Sequence, residues 1–242
     1  MKKVFLLGGY DLEMIEIKEI LKQQKETFLD KKLSWGAKLS SYKEFLNDES
    51  EFIAIELEED ITPPKYYKKI DHHNDLPVYP TSLQQVADIL HVKLTREQKL
   101  IAYNDAEHIK GMKKLCATKQ EIEDIRKKDR AAQGVTKEDE NLAKLSVEKA
   151  KDNFIYSYTP YFSTVADRIY DKYSKYVVYN DKKIVFYNYK LESILVFFEK
   201  NNIMQKDYYY GGGEEGFVGI KENIFSKEEI QQLINKFKKV SL

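Results

Sequence analysis

The stretch KIDHHND, from Lys69 to Asp75, decides how this chain is read. It places two of the chain's four histidines side by side between carboxylates. Neighbouring side chains of a regular strand point to opposite faces. His72 and His73 can therefore share one site only where a strand ends and the chain turns. The segment YYKKI at 66–70 carries a candidate strand into the pair. Two earlier apolar runs also lead into acids. Val4, Phe5, Leu6 and Leu7 suit a buried parallel strand, closed by Gly8 and Gly9, with Asp11 and Glu13 just beyond. Phe52, Ile53, Ala54 and Ile55 run into Glu56, Glu58, Glu59 and Asp60 before Thr62, Pro63 and Pro64 break the chain.

Helical patterns separate these runs. From Asp11 to Gln24 the apolar residues Met14, Ile17, Ile20 and Leu21 recur at helical spacing. Ser82 to Leu90 repeats the pattern with Leu83, Val86, Ala87 and Leu90. Thr95 and Gln98 form a capping-box signature at the start of a further helix, and Thr118 is the expected N-cap of another. Strands alternating with helices predict an α/β domain with a parallel sheet covered on both faces. In such sheets reactive groups gather beyond the carboxyl ends of the strands, which is where the acids and the histidine pair fall.

Residues 136–152 are rich in Lys, Glu and Asp and are expected to form an exposed linking helix between a first domain, 1–135, and a second, 153–242. Beyond the link, Tyr and Phe become dense. Strands near 154–158, 175–179 and 183–189, with helices near 190–200 and 226–239, predict a smaller α/β domain. Most of its tyrosines are expected as strand core and edge residues, although tyrosines can also stack bases.

Composition bounds the function. The chain has 242 residues, with 40 Lys and Arg against 40 Asp and Glu. The absence of a basic excess argues against long nucleic acid as a partner. The single cysteine, Cys116, excludes an intrachain disulfide, fits a reducing compartment and is expected to be structural. The opening MKKVFLLGGYDLEM starts like a signal peptide, but its apolar run is short and acids follow at once, so a first buried strand is expected. No transmembrane segment is read, and the expected location is cytoplasmic. Neither a phosphate-binding Walker loop nor a nucleophilic serine motif is present. His and Asp together bind Mn²⁺, Mg²⁺ or Zn²⁺, and such ions activate water against phosphorus. The plainer reading of the triplet is a polar loop in which two histidines meet by chance.

The segment IDHHN at 70–74 resembles the motif that names the DHH phosphoesterase superfamily, which includes RecJ-type exonucleases, nanoRNases, cyclic dinucleotide phosphodiesterases and family II pyrophosphatases. The order of elements over roughly residues 1–130 is similar too. GGYDLEM offers Asp11 and Glu13, FIAIELEED offers Glu56 with Glu58 as competitor, and IAYNDAEHIKGM offers Asp105 with His108 three residues on. YYYGGGEEGFVG at 208–219 resembles the Gly-Gly-Gly-His stretch of the associated DHHA1 substrate-binding domain. Closely spaced glycines let backbone amides approach a phosphate; the alternative is a glycine-rich turn between strands.

The motifs also depart from the family. Leu7 stands where a His or Asp ligand is usual, Glu13 and Glu56 replace aspartates, and Glu214 replaces the His after the glycines.

The resemblance implies one or two Mn²⁺ or Mg²⁺ ions held by Asp11, Glu13, Glu56, His72 and Asp105. It implies Asp71 orienting an imidazole and His73 contacting the substrate phosphate. His108 is a ligand, a phosphate donor or a surface residue, and Arg130 either reaches the substrate or lies on a solvated face. Gly211, Gly212, Gly213 and Glu214 would meet the far end of the substrate. The implied activity is hydrolysis of a phosphoester in a nucleotide or short oligonucleotide. The alternative is a catalytically impaired DHH-fold protein that binds a nucleotide or metal as a sensor or assembly module. The expected partner is a small phosphorylated substrate or short oligonucleotide, not a membrane; a homodimer stays open.

Overall fold

The two apolar runs and the segment leading into the histidine pair become parallel strands whose ends are level. β1 (Lys2–Leu7), β2 (Phe28–Asp30), β3 (Ser50–Ile55) and β4 (Tyr67–Ile70) form a four-stranded parallel sheet in the order β2-β1-β3-β4. Leu7 lies opposite Ile55, and Ile55 opposite Ile70. Whatever follows these three residues therefore emerges along one edge. The computed structural model describes residues 1–34, 36–72, 79–211 and 216–240. It divides into two compact units, Met1–Gly134 and Val135–Leu242.

Both faces of the first sheet are buried. Val4, Leu6, Phe52 and Ala54 pack with Ala37, Leu39, Tyr42 and Leu57 on one side. Phe5, Leu7, Ile53 and Ile55, which alternate with them, are equally inaccessible. The Tyr42 hydroxyl donates to the Leu7 carbonyl at 2.6 Å and accepts from the Lys31 backbone N–H at 3.1 Å, tying the ends of β1 and β2 together. Among the described residues the unit also holds the α-helices α1 (Leu12–Gln23), α2 (Ser82–Ile89), α3 (Arg96–Lys114) and α4 (Lys119–Ala132). Thr81, Thr95 and Thr118 each cap a helix with a complete capping box. The short edge strand β2 carries only three residues, too few for its alternation to be read from sequence.

The second unit holds α5 (Lys137–Lys149), β5 (Phe154–Tyr156), α6 (Phe162–Ile169), β6 (Tyr176–Tyr179), β7 (Ile184–Tyr187), α7 (Leu191–Lys200), β8 (Tyr208–Gly211), β9 (Phe217–Ile220) and α8 (Lys227–Val240). Its mixed sheet runs β5-β6-β7-β9-β8, with only β5 and β6 parallel. The aromatic wealth is largely core: Phe186 packs on Phe237 with ring centroids 4.7 Å apart, and Tyr176 stacks on Tyr187 at 4.9 Å.

The expected exposed link at 136–152 is different in the structure. Its helix α5 belongs to the second unit, where Ala143 and Ser146 are buried and Ala143 packs with Phe162 and Val165 of α6. A narrow strip of small residues suffices to dock the helix, and average composition hides it. Cys116, expected to be structural, is exposed. No helix among the described residues is long and apolar enough to cross a membrane.

Candidate metal centre

The level strand ends set the site. β1 passes through Gly8, whose α-carbon lies so close to β3 that an added Cβ would meet the carbonyl oxygens of Ile55 and Glu56 at 2.4 Å. Asp11 then caps α1, its Oδ1 accepting the Met14 N–H at 2.8 Å. Two residues on, Glu13 lies in the first turn and is 2% exposed. Its Oε1 accepts the Leu83 N–H at 3.1 Å, at the start of α2. Its Oε2 is buried and, among the described residues, has no hydrogen-bond partner within ordinary geometry.

Glu56 follows β3 with φ of +53°. Left-handed backbone costs an ordinary L-residue roughly 1–2 kcal/mol. Here it turns the chain so that the carboxylate lies at the edge of the sheet. Its competitor Glu58 is exposed, and its backbone pairs with Ala37 and Leu39.

His72 follows β4 and is 4% exposed. Its Nε2 stands 2.9 Å from Asp105 Oδ2, 3.4 Å from Glu13 Oε2 and 3.7 Å from Glu56 Oε1. Asp105 comes from α3, two residues before that helix breaks its own geometry. Glu107 (φ −142°, ψ 22°) and His108 (φ 56°, ψ −144°) are non-helical there. The kink brings Gly111 against the Tyr103 carbonyl, which an added Cβ would meet at 2.1 Å.

One ligand atom from each of Glu13, Glu56, His72 and Asp105 lies within 4.8 Å of all the others. The electrostatics are those of crowded like charges. Glu56 is pushed well above its ordinary pKa, first by burial and then by Asp11, Glu13 and Asp105. Burial and Asp105 raise Glu13 as well. Asp11 rises to about 7, through burial and then Asp105, with the Met14 N–H opposing. Burial disfavours a charged His72, but the carboxylates of Asp105 and Glu13 outweigh it and lift its pKa to about 11. One imidazolium does not balance this many carboxylates, whereas a divalent cation would. Three carboxylate oxygens and one imidazole nitrogen form a donor set for Mn²⁺, Mg²⁺ or Zn²⁺. The buried Glu13 Oε2 without a donor is consistent with such an occupant. These residues fit a metal ion.

Asp11 stands beside this group, not in it. The Asp71 carboxylate accepts the His72 backbone N–H at 2.8 Å and pairs with Lys69 at 3.2 Å; these contacts anchor the turn. His108 lies at the α3 kink, outside the four-residue group. Arg130, for which a solvated face was one expectation, is 8% exposed on α4. Gly211 ends β8 opposite Phe217, so that end of the glycine run lies in a hairpin strand. His73, Gly212, Gly213 and Glu214 lie outside the described residues.

Sequence reasoning missed the residues behind the site. Arg126 and Asp129 of α4 are buried, and Arg126 Nη1 donates to Asn104 Oδ1 at 3.0 Å. Arg and Asp three apart on a charged helix read as a solvated pair; only the neighbouring Asn104 and Asp105 hinted otherwise.

No family model matches the chain, and no curated protein matches it. Among solved structures, exonuclease RecJ bound to manganese aligns with a TM-score of 0.46 and 10% identity, covering 98% of this chain and 90% of that one. RecJ from Thermus thermophilus in complex with Mn²⁺ aligns at 0.44 and 10% identity over 98% of this chain. The match covers 52% of that RecJ, so the chain spans about half its length. The DHH domain of a member of the s1p family of ribosomal proteins aligns at 0.45 and 14% identity, covering 97% of this chain and 75% of that one. The α/β fold itself rests on the chain's own four-stranded parallel sheet and second mixed sheet.

Proposed function

We propose that this chain is a metal-dependent phosphoesterase acting on a nucleotide or short oligonucleotide. The observation that carries the reading is the convergence of Glu13, Glu56, His72 and Asp105 from four separate segments at the carboxyl edge of a parallel sheet. Bound there, Mn²⁺ or Mg²⁺ supplies Lewis-acid neutralisation of phosphoryl charge and lowers the pKa of water. The chain's own residues do the rest. Glu13 is held in place by the Leu83 N–H, and Asp71 anchors the turn that aims His72 inward. His73, next in sequence, serves as a proton donor to the substrate phosphate.

The test is a metal analysis of the purified chain followed by a Mn²⁺-dependent hydrolysis assay on bis(p-nitrophenyl) phosphate and on short oligonucleotides. Stoichiometric metal with hydrolysis abolished by a chelator is expected. A second reading is favoured by Leu7, which is 1% exposed where the resembling family has a ligand. In it the site holds metal as a sensor or assembly module. Metal binding without turnover on any of these substrates establishes that reading instead, and absence of metal binding rejects both.

A further inference from the structure

Resting on the metal-site reading, we infer that Arg126 is a positioning residue for that site: from α4 it clamps Asn104 and so sets the direction of Asp105. Arg126, Asp129 and Asn104 are 5%, 6% and 6% exposed. Arg126 Nη1 lies 2.5 Å from Asp129 Oδ2 and donates to Asn104 Oδ1 at 3.0 Å. Gln133 Nε2 also reaches Asp129 Oδ2, at 3.3 Å.

Burying an Arg–Asp pair carries a large desolvation cost, and such pairs are best attested where they fix a register. The register at stake is that of α3. Asn104 and Asp105 lie in the last regular turn before Glu107 and His108 leave helical geometry. The kink removes the continuous downstream helix that would hold this turn. Consecutive helical side chains fan apart by about 100°. With Asn104 tied to α4, Asp105 is rotated away from α4, and its Oδ2 stands 2.9 Å from His72 Nε2. A planar guanidinium suits this task because its fixed fork of donors can engage an amide and a carboxylate together. Arg126 also offsets Asp129, which is near enough to Asp11 to add to the repulsion around the site.

The experiment is calorimetric titration of Mn²⁺ into the chelator-stripped full chain, alongside thermal unfolding without metal. Arg126→Met is expected to weaken Mn²⁺ affinity about ten- to a hundredfold, the usual effect of removing a group that orients a ligand. Arg126→Lys should recover part of that loss. Arg96, nine residues before Asp105, also ties α3 to α4 through Glu121 and joins the start of α3 to the Leu115 carbonyl at its C-cap. Arg96→Ala should lower the unfolding temperature and leave Mn²⁺ affinity unchanged. Should Arg126→Met fail to fold, Asn104→Ala decides, since it keeps the Arg126–Asp129 pair. Unaltered affinity in Asn104→Ala or in folded Arg126→Met overturns the inference while leaving the metal site standing. If the unaltered chain binds no Mn²⁺, the metal reading itself fails.

Discussion

At the scale of single residues, the site is defined by charges that need a counter-ion. Glu56, partly buried, lies near Asp11, Glu13 and Asp105, and each raises its pKa. Without metal, an ionised Glu56 opposes folding; in the proposed metal-bound state it would help hold the ion. Glu56→Gln should therefore raise the unfolding temperature of chelator-stripped protein, by on the order of 1–3 kcal/mol of stability. It should also abolish most of the stabilisation that Mn²⁺ gives the parent chain. A variant less stable than the parent without metal would contradict this. The two histidines should also separate in role. His72→Ala is expected to lose both metal and turnover. His73→Ala should keep its metal, because adjacent rings at a strand end diverge. It should lower turnover by about 10²–10⁴, the loss typical for a positioned proton donor. Metal analysis of the two variants checks the division, and equal metal loss would reject it.

At the scale of elements, the bend in α3 is the least ordinary feature. His108 adopts φ 56° and ψ −144°, a region that suits glycine. His108→Ala and His108→Gly both remove the imidazole, so the difference between them isolates backbone strain. The Gly variant should be the more stable by about 1 kcal/mol, measured by urea unfolding. Gly111 guards the same bend, since an added Cβ would stand 2.1 Å from the Tyr103 carbonyl. Gly111→Ala should cost about 1–3 kcal/mol, as overpacking does. It should also weaken Mn²⁺ binding, because the turn carrying Asp105 must move. Destabilisation with intact affinity would show that the bend and the site are independent.

At the scale of the whole molecule, the four grouped side chains all belong to the unit Met1–Gly134. That unit has its own sheet, two buried faces and capped helices. Expressed as residues 1–134, it should fold and bind Mn²⁺ with the affinity of the full chain. Titration of the fragment is the check. Loss of Mn²⁺ binding in a folded fragment would place a required group beyond Gly134.

What the sequence by itself determined is local. Apolar runs ending in acids located β1 and β3, the YYKKI segment before the histidine pair located β4, and threonine caps located the starts of α3 and α4. The Asp-His-His triplet marked the edge at which Glu13, Glu56, His72 and Asp105 gather. These signals are legible because strand alternation, helix spacing and capping each span only a few residues. Tertiary structure decided what depends on distant partners. The register of Leu7, Ile55 and Ile70 brought the strand ends level, and no single run encodes a register. Left-handed backbone at Glu56 turned that carboxylate toward the site and left Glu58 in solvent. Arg126 and Asp129 look like a solvated helical pair until α3 packs over them. Helix α5 looks like a linker until α6 covers Ala143. Periodicity reports which residues share a face; only the folded chain supplies what that face meets.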